Sequence, residues 1–186
     1  TSALNIIAKI LNWKKNDNII TTPLTFLATA NCIVNSGATP IFADIDSQTH
    51  TLDPQRVEDL VKKIKVKAVI GVDYAGHPWD WSSLYYLSKK YKFKLINDAC
   101  HSLGAKINDN EKYAIKYADF VKHSYHPVKA ITTGEGGAII LKDKKFANKI
   151  KIIRSHGIIK KKKFKPWYYE INDAGFNYRI TDFQCA

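Results

Sequence analysis

The 186 residues predict an α/β protein with a mostly parallel sheet flanked by helices. Two observations carry this. Short apolar runs of strand length alternate with stretches whose apolar residues recur at helical spacing. Helix-start signals and turn residues separate the two kinds of segment, and such alternation is the pattern of βα units. No internal repeat, low-complexity linker or second domain boundary interrupts it.

The elements follow in order. Ser2 to Trp13 has apolar residues at helical spacing, from Ala3 and Leu4 to Ile10 and Leu11. Asn18 to Thr22 is a short strand closed by Pro23. Phe26 to Val34 is an Ala-rich helix ending at Gly37. Pro40 to Asp44 is a strand. Asp53-Pro54 supplies a cap and a first-turn proline for a helix reaching Ile64. Ala68 to Val72 is a buried strand, and Asp80 to Tyr91 an amphipathic helix. Lys94 to Asn97 is a strand ending at Asp98. Ala118 to Val121 and Gly137 to Leu141 are further strands. Lys144 to Arg154 is a helix, and the tail from His156 is expected to be loop.

Composition narrows the class. Hydrophobic residues are 45% and charged residues 25%, which fits a globular chain and excludes a disordered tail, a collagen-like repeat or a disulfide knot. The longest apolar runs, such as Ala138 to Leu141, fall far short of the ~20 residues that span a bilayer, so no membrane partner is expected. The chain has no Met and starts and stops within a pattern, so it is read as an internal piece of a longer protein. Cys32, Cys100 and Cys185 form no CxxC pair and are odd in number. They are expected to be small buried hydrophobes in a reducing cytoplasm.

The net charge of +12 is compatible with a polyanion partner. Yet Arg occurs only as Arg56, Arg154 and Arg179, and base-reading surfaces favour Arg. No nucleic-acid partner is therefore expected. The run Lys160 to Lys163 is read as a solvated loop, with an anionic contact as the alternative.

In a parallel sheet, ligands bind beyond the carboxyl ends of the strands. Chemistry is therefore sought at Thr21 to Phe26, Asp73 to His77, Asp98 to His101 and Ser124 to Lys129. Asp98 follows a strand, where it is either a helix cap or a carboxylate aimed into the crevice. His101 shares its face if a helical turn follows. Most of the lysines are solvated surface cations. Lys129 differs, because it follows a strand and a His-Pro turn and precedes Thr132-Thr133-Gly134-Glu135-Gly136-Gly137. A lysine held partly desolvated in a crevice becomes a nucleophile for carbonyls. Its natural use is a Schiff base with pyridoxal phosphate, whose ring nitrogen needs a carboxylate partner such as Asp98. Thr1 and Ser2 at a helix start are either a phosphate cup or a plain cap. His77 and His126 each precede a proline in a turn and are read as structural. No metal-ligand spacing is present.

Several long motifs stand together. They are Thr22 to Asn31, Val72 to Pro78, Asp98 to Ala105, Ser124 to Lys129 with Thr132 to Gly137, and Gly175 to Arg179. In order and spacing they resemble the nucleotide-sugar aminotransferases of the DegT/DnrJ/EryC1/StrS family across essentially the whole chain. The tail from Pro166 to Asp182 is most similar to the pseudaminic-acid branch. The resemblance implies a fold-type I, aspartate-aminotransferase-like pyridoxal-phosphate transferase. Residues 1–186 would form its cofactor-binding large domain, with an N-terminal segment and a C-terminal small domain lying outside them.

The resemblance also implies roles. Lys129 matches the lysine that joins the cofactor, and Asp98 the acid that pairs its ring nitrogen. His101 falls near the cofactor's phenolic oxygen and Phe26 on its ring face. Thr1, Ser2 and Ser124 match phosphate contacts. Asn177 matches an asparagine that reaches the phosphate in the neighbouring subunit, implying a homodimer with shared sites. Arg179 matches a contact to an anionic group of donor or sugar nucleotide. The implied substrates are glutamate and a UDP-linked 4-keto-6-deoxy sugar. A dehydratase in the family carries His at the Lys129 position, so Lys129 speaks for transamination. Lys122-His123 depart from the pattern, which has apolar or aromatic residues there. A pyridoxal-phosphate-binding regulator without catalysis is the alternative reading.

Overall fold

The computed structural model describes residues 1–160 and 165–186. In chain order the first elements are α1 (Ser2–Ile10), β1 (Asn18–Thr21), α2 (Leu27–Asn35), β2 (Thr39–Phe42), α3 (Pro54–Val61), β3 (Ala68–Val72), α4 (Trp81–Tyr91) and β4 (Lys94–Asp98). Then come α5 (Tyr113–Tyr117), β5 (Phe120–Ser124), β6 (Gly137–Ile140), α6 (Lys144–Ile153), β7 (Ile158–Ile159), β8 (Glu170–Ile171) and α7 (Asp182–Cys185). Six strands pair in the order β2-β1-β3-β4-β5-β6. The first five run parallel, and β6 joins β5 antiparallel.

Caps fix where the helices begin. The Asp53 carboxylate accepts from the Gln55 backbone N–H at 2.8 Å, with Pro54 at the first helical position. The Asp80 carboxylate accepts from the Ser83 N–H at 3.0 Å. Asp143 accepts from the N–H groups of Lys145 and Phe146 at 2.8 and 3.3 Å. The first helix is shorter than expected. It stops at Ile10 because Asn12 turns into the left-handed region, φ +52°.

Side chains alternate across the sheet at period two. Ala68, Ile70, Ile96 and Phe120 pack against α1, α2 and α6. Val69, Leu95 and Val121 pack against α3, α4 and α5, around Trp79, Trp81 and Leu84. Two separate apolar layers therefore hold the sheet rigid from both faces. The same alternation sends Asp98 and Lys122 to the α1–α2 side and Asn97 to the other.

Three expectations are corrected. The strand expected at Ala118 to Val121 runs instead from Phe120 to Ser124, because Lys122 is buried within it. The expected loop from His156 contains the β7–β8 ribbon and α7, whose Thr181 and Gln184 form a capping box. Helix α5 was not expected from the periodicity. Of the Lys160 to Lys163 run, Lys160 is exposed and residues 161–163 lie outside the described residues. Among the described residues, no helix is long and apolar enough to cross a membrane.

Candidate active site

Asp98 ends β4 with only 4% of its surface exposed. It caps no helix. Its Oδ2 accepts from the Thr29 hydroxyl of α2 at 3.1 Å, and its Oδ1 accepts from Lys122 Nζ at 3.0 Å. Lys122 stands beside it on β5, at the paired register position, and is also 4% exposed. Burial raises the Asp98 pKa, but the adjacent Lys122 ammonium and the hydrogen bonds from its neighbours outweigh this and hold it below the ordinary carboxylate range. Burial lowers the Lys122 pKa, and Asp98 outweighs that and keeps it above the ordinary lysine value. The site therefore carries an ionised, paired carboxylate.

Lys122 Nζ also donates to Cys100 Sγ at 2.6 Å. Burial pushes the Cys100 thiol up to about 11 and the Cys32 thiol up to about 12, so both stay protonated at neutral pH. Cys32 is buried as expected. Cys100 is only half-buried and Cys185 is exposed at the end of α7, which corrects the expectation of three buried thiols. Among the described residues all three are free.

Around this pair the loops supply the other groups. The turn after β4 is not helical, so Asp98 and His101 do not share a helix face. Instead Ser102 N–H donates to Ala99 O, and Gly104 turns the chain at φ +85°. His101 is exposed. Partial shielding lowers its pKa, the Lys129 ammonium lowers it further, and Asp98 pulls the other way. His101 thus sits in the fields of both Lys129 and Asp98. Phe26 immediately precedes α2 with its ring 73% exposed, an unusual position for a large aromatic.

Lys129 is half-buried in the loop between β5 and β6. Its N–H donates to His126 O at 2.9 Å. The loop is pinned by hydroxyls: Thr132 Oγ1 donates to Tyr125 O at 3.0 Å, and Thr133 Oγ1 to Glu135 O at 2.7 Å. Gln184 of α7 donates to Thr133 O and Glu135 O at 3.2 and 2.8 Å, clamping the loop from outside. Ser124 ends β5 half-buried, and its Oγ accepts from the His126 N–H. His126 and His77 are exposed turn residues.

Thr1 and Ser2 are exposed at the start of α1, and no side chain caps that end. Thr1 is the N-cap residue of α1 without a side-chain capping bond, and both alternatives, a cap or a phosphate contact, stay open. The backbone of Thr1 lies beside the same cluster of Lys122, Cys100, Asp98 and Cys32. Asn177 and Arg179 are exposed on the tail, and their side chains make no hydrogen bond or ion pair among the described residues.

For two residues the sequence shows the place but not the role: Lys122 as a departure from the family pattern and Asp73 as the start of a strand-end segment. One is Lys122, whose partner is distant in sequence. The other is Asp73, whose buried Oδ2 accepts from Asn97 Nδ2, Ser102 Oγ and Tyr113 Oη at 2.9, 2.7 and 2.9 Å. It ties the ends of β3 and β4 to α5 directly behind the site. Burial raises its pKa despite these bonds.

An exposed aromatic, a helix start, a paired carboxylate and a half-buried amine near the carboxyl ends of the parallel strands make up a candidate site of an aminotransferase-like α/β fold. The chain belongs to the DegT/DnrJ/EryC1/StrS aminotransferase family, whose model matches residues 1–186. It is 40% identical to the UDP-4-amino-4,6-dideoxy-N-acetyl-beta-L-altrosamine transaminase of Campylobacter jejuni, over 100% of this chain and 48% of that protein. Helicobacter pylori PseC, an aminotransferase of pseudoaminic acid biosynthesis, superposes with a TM-score of 0.86 at 34% identity, over 98% of this chain and 48% of that one. The PLP-form of the putative sugar aminotransferase Spr1654 of Streptococcus pneumoniae gives 0.85 at 27% identity, over 98% and 50%. The chain thus spans about half the length of the curated relatives it matches.

Proposed function

We propose that the protein containing this chain is a pyridoxal-5'-phosphate-dependent nucleotide-sugar aminotransferase. It moves an amino group from glutamate to C4 of a UDP-linked 4-keto-6-deoxy sugar, in the pseudaminic-acid manner of its C. jejuni and H. pylori relatives. The observation that carries the reading is the ionised Asp98 at the end of β4, with Lys129 and His101 in one electrostatic neighbourhood.

The residues fit the cofactor by chemistry. Asp98 is held charged, as a partner for a ring nitrogen must be. The exposed Phe26 offers a face for an aromatic ring. The uncapped start of α1 at Thr1 and Ser2, with the Ser124 hydroxyl, offers donors for a phosphate. Asn177 would reach the phosphate in a partner subunit, Arg179 would hold an anionic group of donor or sugar nucleotide, and His101 would face the phenolic oxygen. These three assignments rest on the family motif.

When bound, the cofactor supplies a carbonyl to carry the amino group and a ring to absorb the electrons of the broken Cα–H bond. Lys129 is the residue that would hold the cofactor through that carbonyl. As a free amine, Lys129 would carry the proton between the donor's Cα and the cofactor's C4′. In the second half-reaction the same amine moves a proton the opposite way. The assembly is a homodimer with shared sites, and the protein works in the cytoplasm.

The test supplies the full-length protein with pyridoxal phosphate, glutamate and a UDP-linked 4-keto-6-deoxy sugar. Formation of the 4-amino sugar together with 2-oxoglutarate supports the reading. A folded, cofactor-loaded protein that forms neither contradicts it.

A further inference from the structure

The basicity of a ring nitrogen depends on the net charge of the group it faces. An unpaired buried carboxylate holds a proton on such a nitrogen strongly, because the ionic pair replaces the lost hydration of both groups. A carboxylate already neutralised by an ammonium attracts that proton far less. Asp98 is of the second kind. Lys122 Nζ lies 3.0 Å from its Oδ1, both side chains are buried, and the two residues face each other on neighbouring strands. Thr29 holds the other oxygen at 3.1 Å. Each oxygen retains a further lone pair for a ligand, so the pair does not block the site.

We infer that Lys122 is a positioning residue that acts through Asp98: it fixes the carboxylate's orientation and offsets its charge, so that the pyridoxal phosphate ring nitrogen holds its proton less tightly than over an unpaired Asp98. This rests on the cofactor reading above.

The other titratable groups in the field of Asp98 do not take over this role. Cys32 on α2 and Cys100 after β4 stay protonated thiols. His101 after β4 and His123 on β5 are both lowered by burial, towards the neutral ring. Lys122 is the cation bonded to Asp98. It also sits where an apolar side chain would satisfy the strand, between Phe120 and Ser124 on the same face. A buried lysine at such a position costs desolvation, and Asp98 compensates it.

The test loads the full-length protein with pyridoxal phosphate labelled with ¹⁵N in the ring and follows the nitrogen shift against pH. Lys122→Met removes the charge at similar length, and Lys122→Arg keeps it. The proposal predicts that Lys122→Met raises the nitrogen's pKa by at least about one unit, a tenfold change, while Lys122→Arg stays within about threefold of wild type. Cofactor should also raise the melting temperature of Lys122→Met more than that of wild type, because the ring N–H then satisfies an otherwise unpaired Asp98. An unchanged nitrogen titration in a folded Lys122→Met protein overturns the proposal. If that variant does not fold, wild type decides: loss of the ring proton below about pH 8 supports the proposal, and full protonation to about pH 9 overturns it. Failure of wild type to bind the labelled cofactor overturns the cofactor reading itself, and this proposal with it.

Discussion

Asp98 and Lys122 occupy paired positions on the neighbouring parallel strands β4 and β5 and bond at 3.0 Å inside the protein. Each is what makes the other's burial tolerable. Removing one leaves an uncompensated charge, at a cost of about 3–5 kcal/mol. Asp98→Ala in the cofactor-free protein should therefore lower stability to urea by about that much. The double variant Asp98→Ala/Lys122→Met should be more stable than Asp98→Ala alone. Additive losses in the double-mutant cycle would show that the two charges do not depend on each other.

The same pair sets a pH dependence. The folded pKa of Asp98 lies below its unfolded value, so its contribution is present above the ordinary carboxylate range and is lost as pH falls through the folded value. Lys122 lies above its unfolded value, so its contribution is complete at neutral pH and is lost as pH rises through the folded value. The difference in unfolding free energy between wild type and the double variant should stay flat from about pH 5 to pH 9 and narrow outside it. A steep slope within that window would contradict the assigned directions.

Asp73 behaves in the opposite sense. Its folded pKa is raised by burial, so ionisation weakens the fold, and that penalty fades as pH falls through the folded value towards the unfolded one. Its three partners are all donors, and an amide oxygen accepts as a carboxylate does. Asp73→Asn should keep near-wild-type stability at pH 7. Asp73→Leu leaves the Asn97, Ser102 and Tyr113 donors unsatisfied and should lose more than about 3 kcal/mol. Equal denaturation midpoints for the two variants would refute the network.

Gly71 in β3 is held by packing alone. A Cβ there would run into the indole of Trp79, whose ring packs tilted against that of Trp81, 4.2 Å between centroids and 30° between planes. Gly71→Ala should cost about 1–3 kcal/mol, and Trp79→Leu should relieve part of it. A thermal melt in which Gly71→Ala matches wild type would show that the ring moves freely.

Lys129→Ala should reduce turnover by a factor on the order of 10³ or more, because both the nucleophile and the proton carrier are gone. Steady-state assay of the full-length variant measures it, and residual activity near wild type would remove Lys129 from the mechanism.

Much of this was legible in the sequence because its signals are local. Asp53-Pro54, Asp80 and Asp143 mark helix starts by hydrogen bonds two or three residues away. Asp98 stands out because it closes a strand-like run, and Lys129 because it lies between a His-Pro turn and a Thr- and Gly-rich turn. Lys122 stands out only as a departure from the family pattern, and its role is hidden for the opposite reason. It interrupts the apolar run, so the pattern ends β5 at Val121, and only Asp98, 24 residues earlier, explains a buried lysine. Asp73 gathers Asn97, Ser102 and Tyr113 across 24 to 40 residues, which no periodicity reports. The β7–β8 ribbon has two residues per strand, too few for alternation to show.

The central claim is that Lys129 holds a pyridoxal phosphate which glutamate converts. The most direct measurement is the visible absorption of the full-length protein with pyridoxal phosphate, before and after glutamate. The account predicts a yellow band from the lysine-bound cofactor that is absent in Lys129→Ala and bleaches when glutamate is added. A band that glutamate leaves unchanged, or one that survives Lys129→Ala, would contradict it.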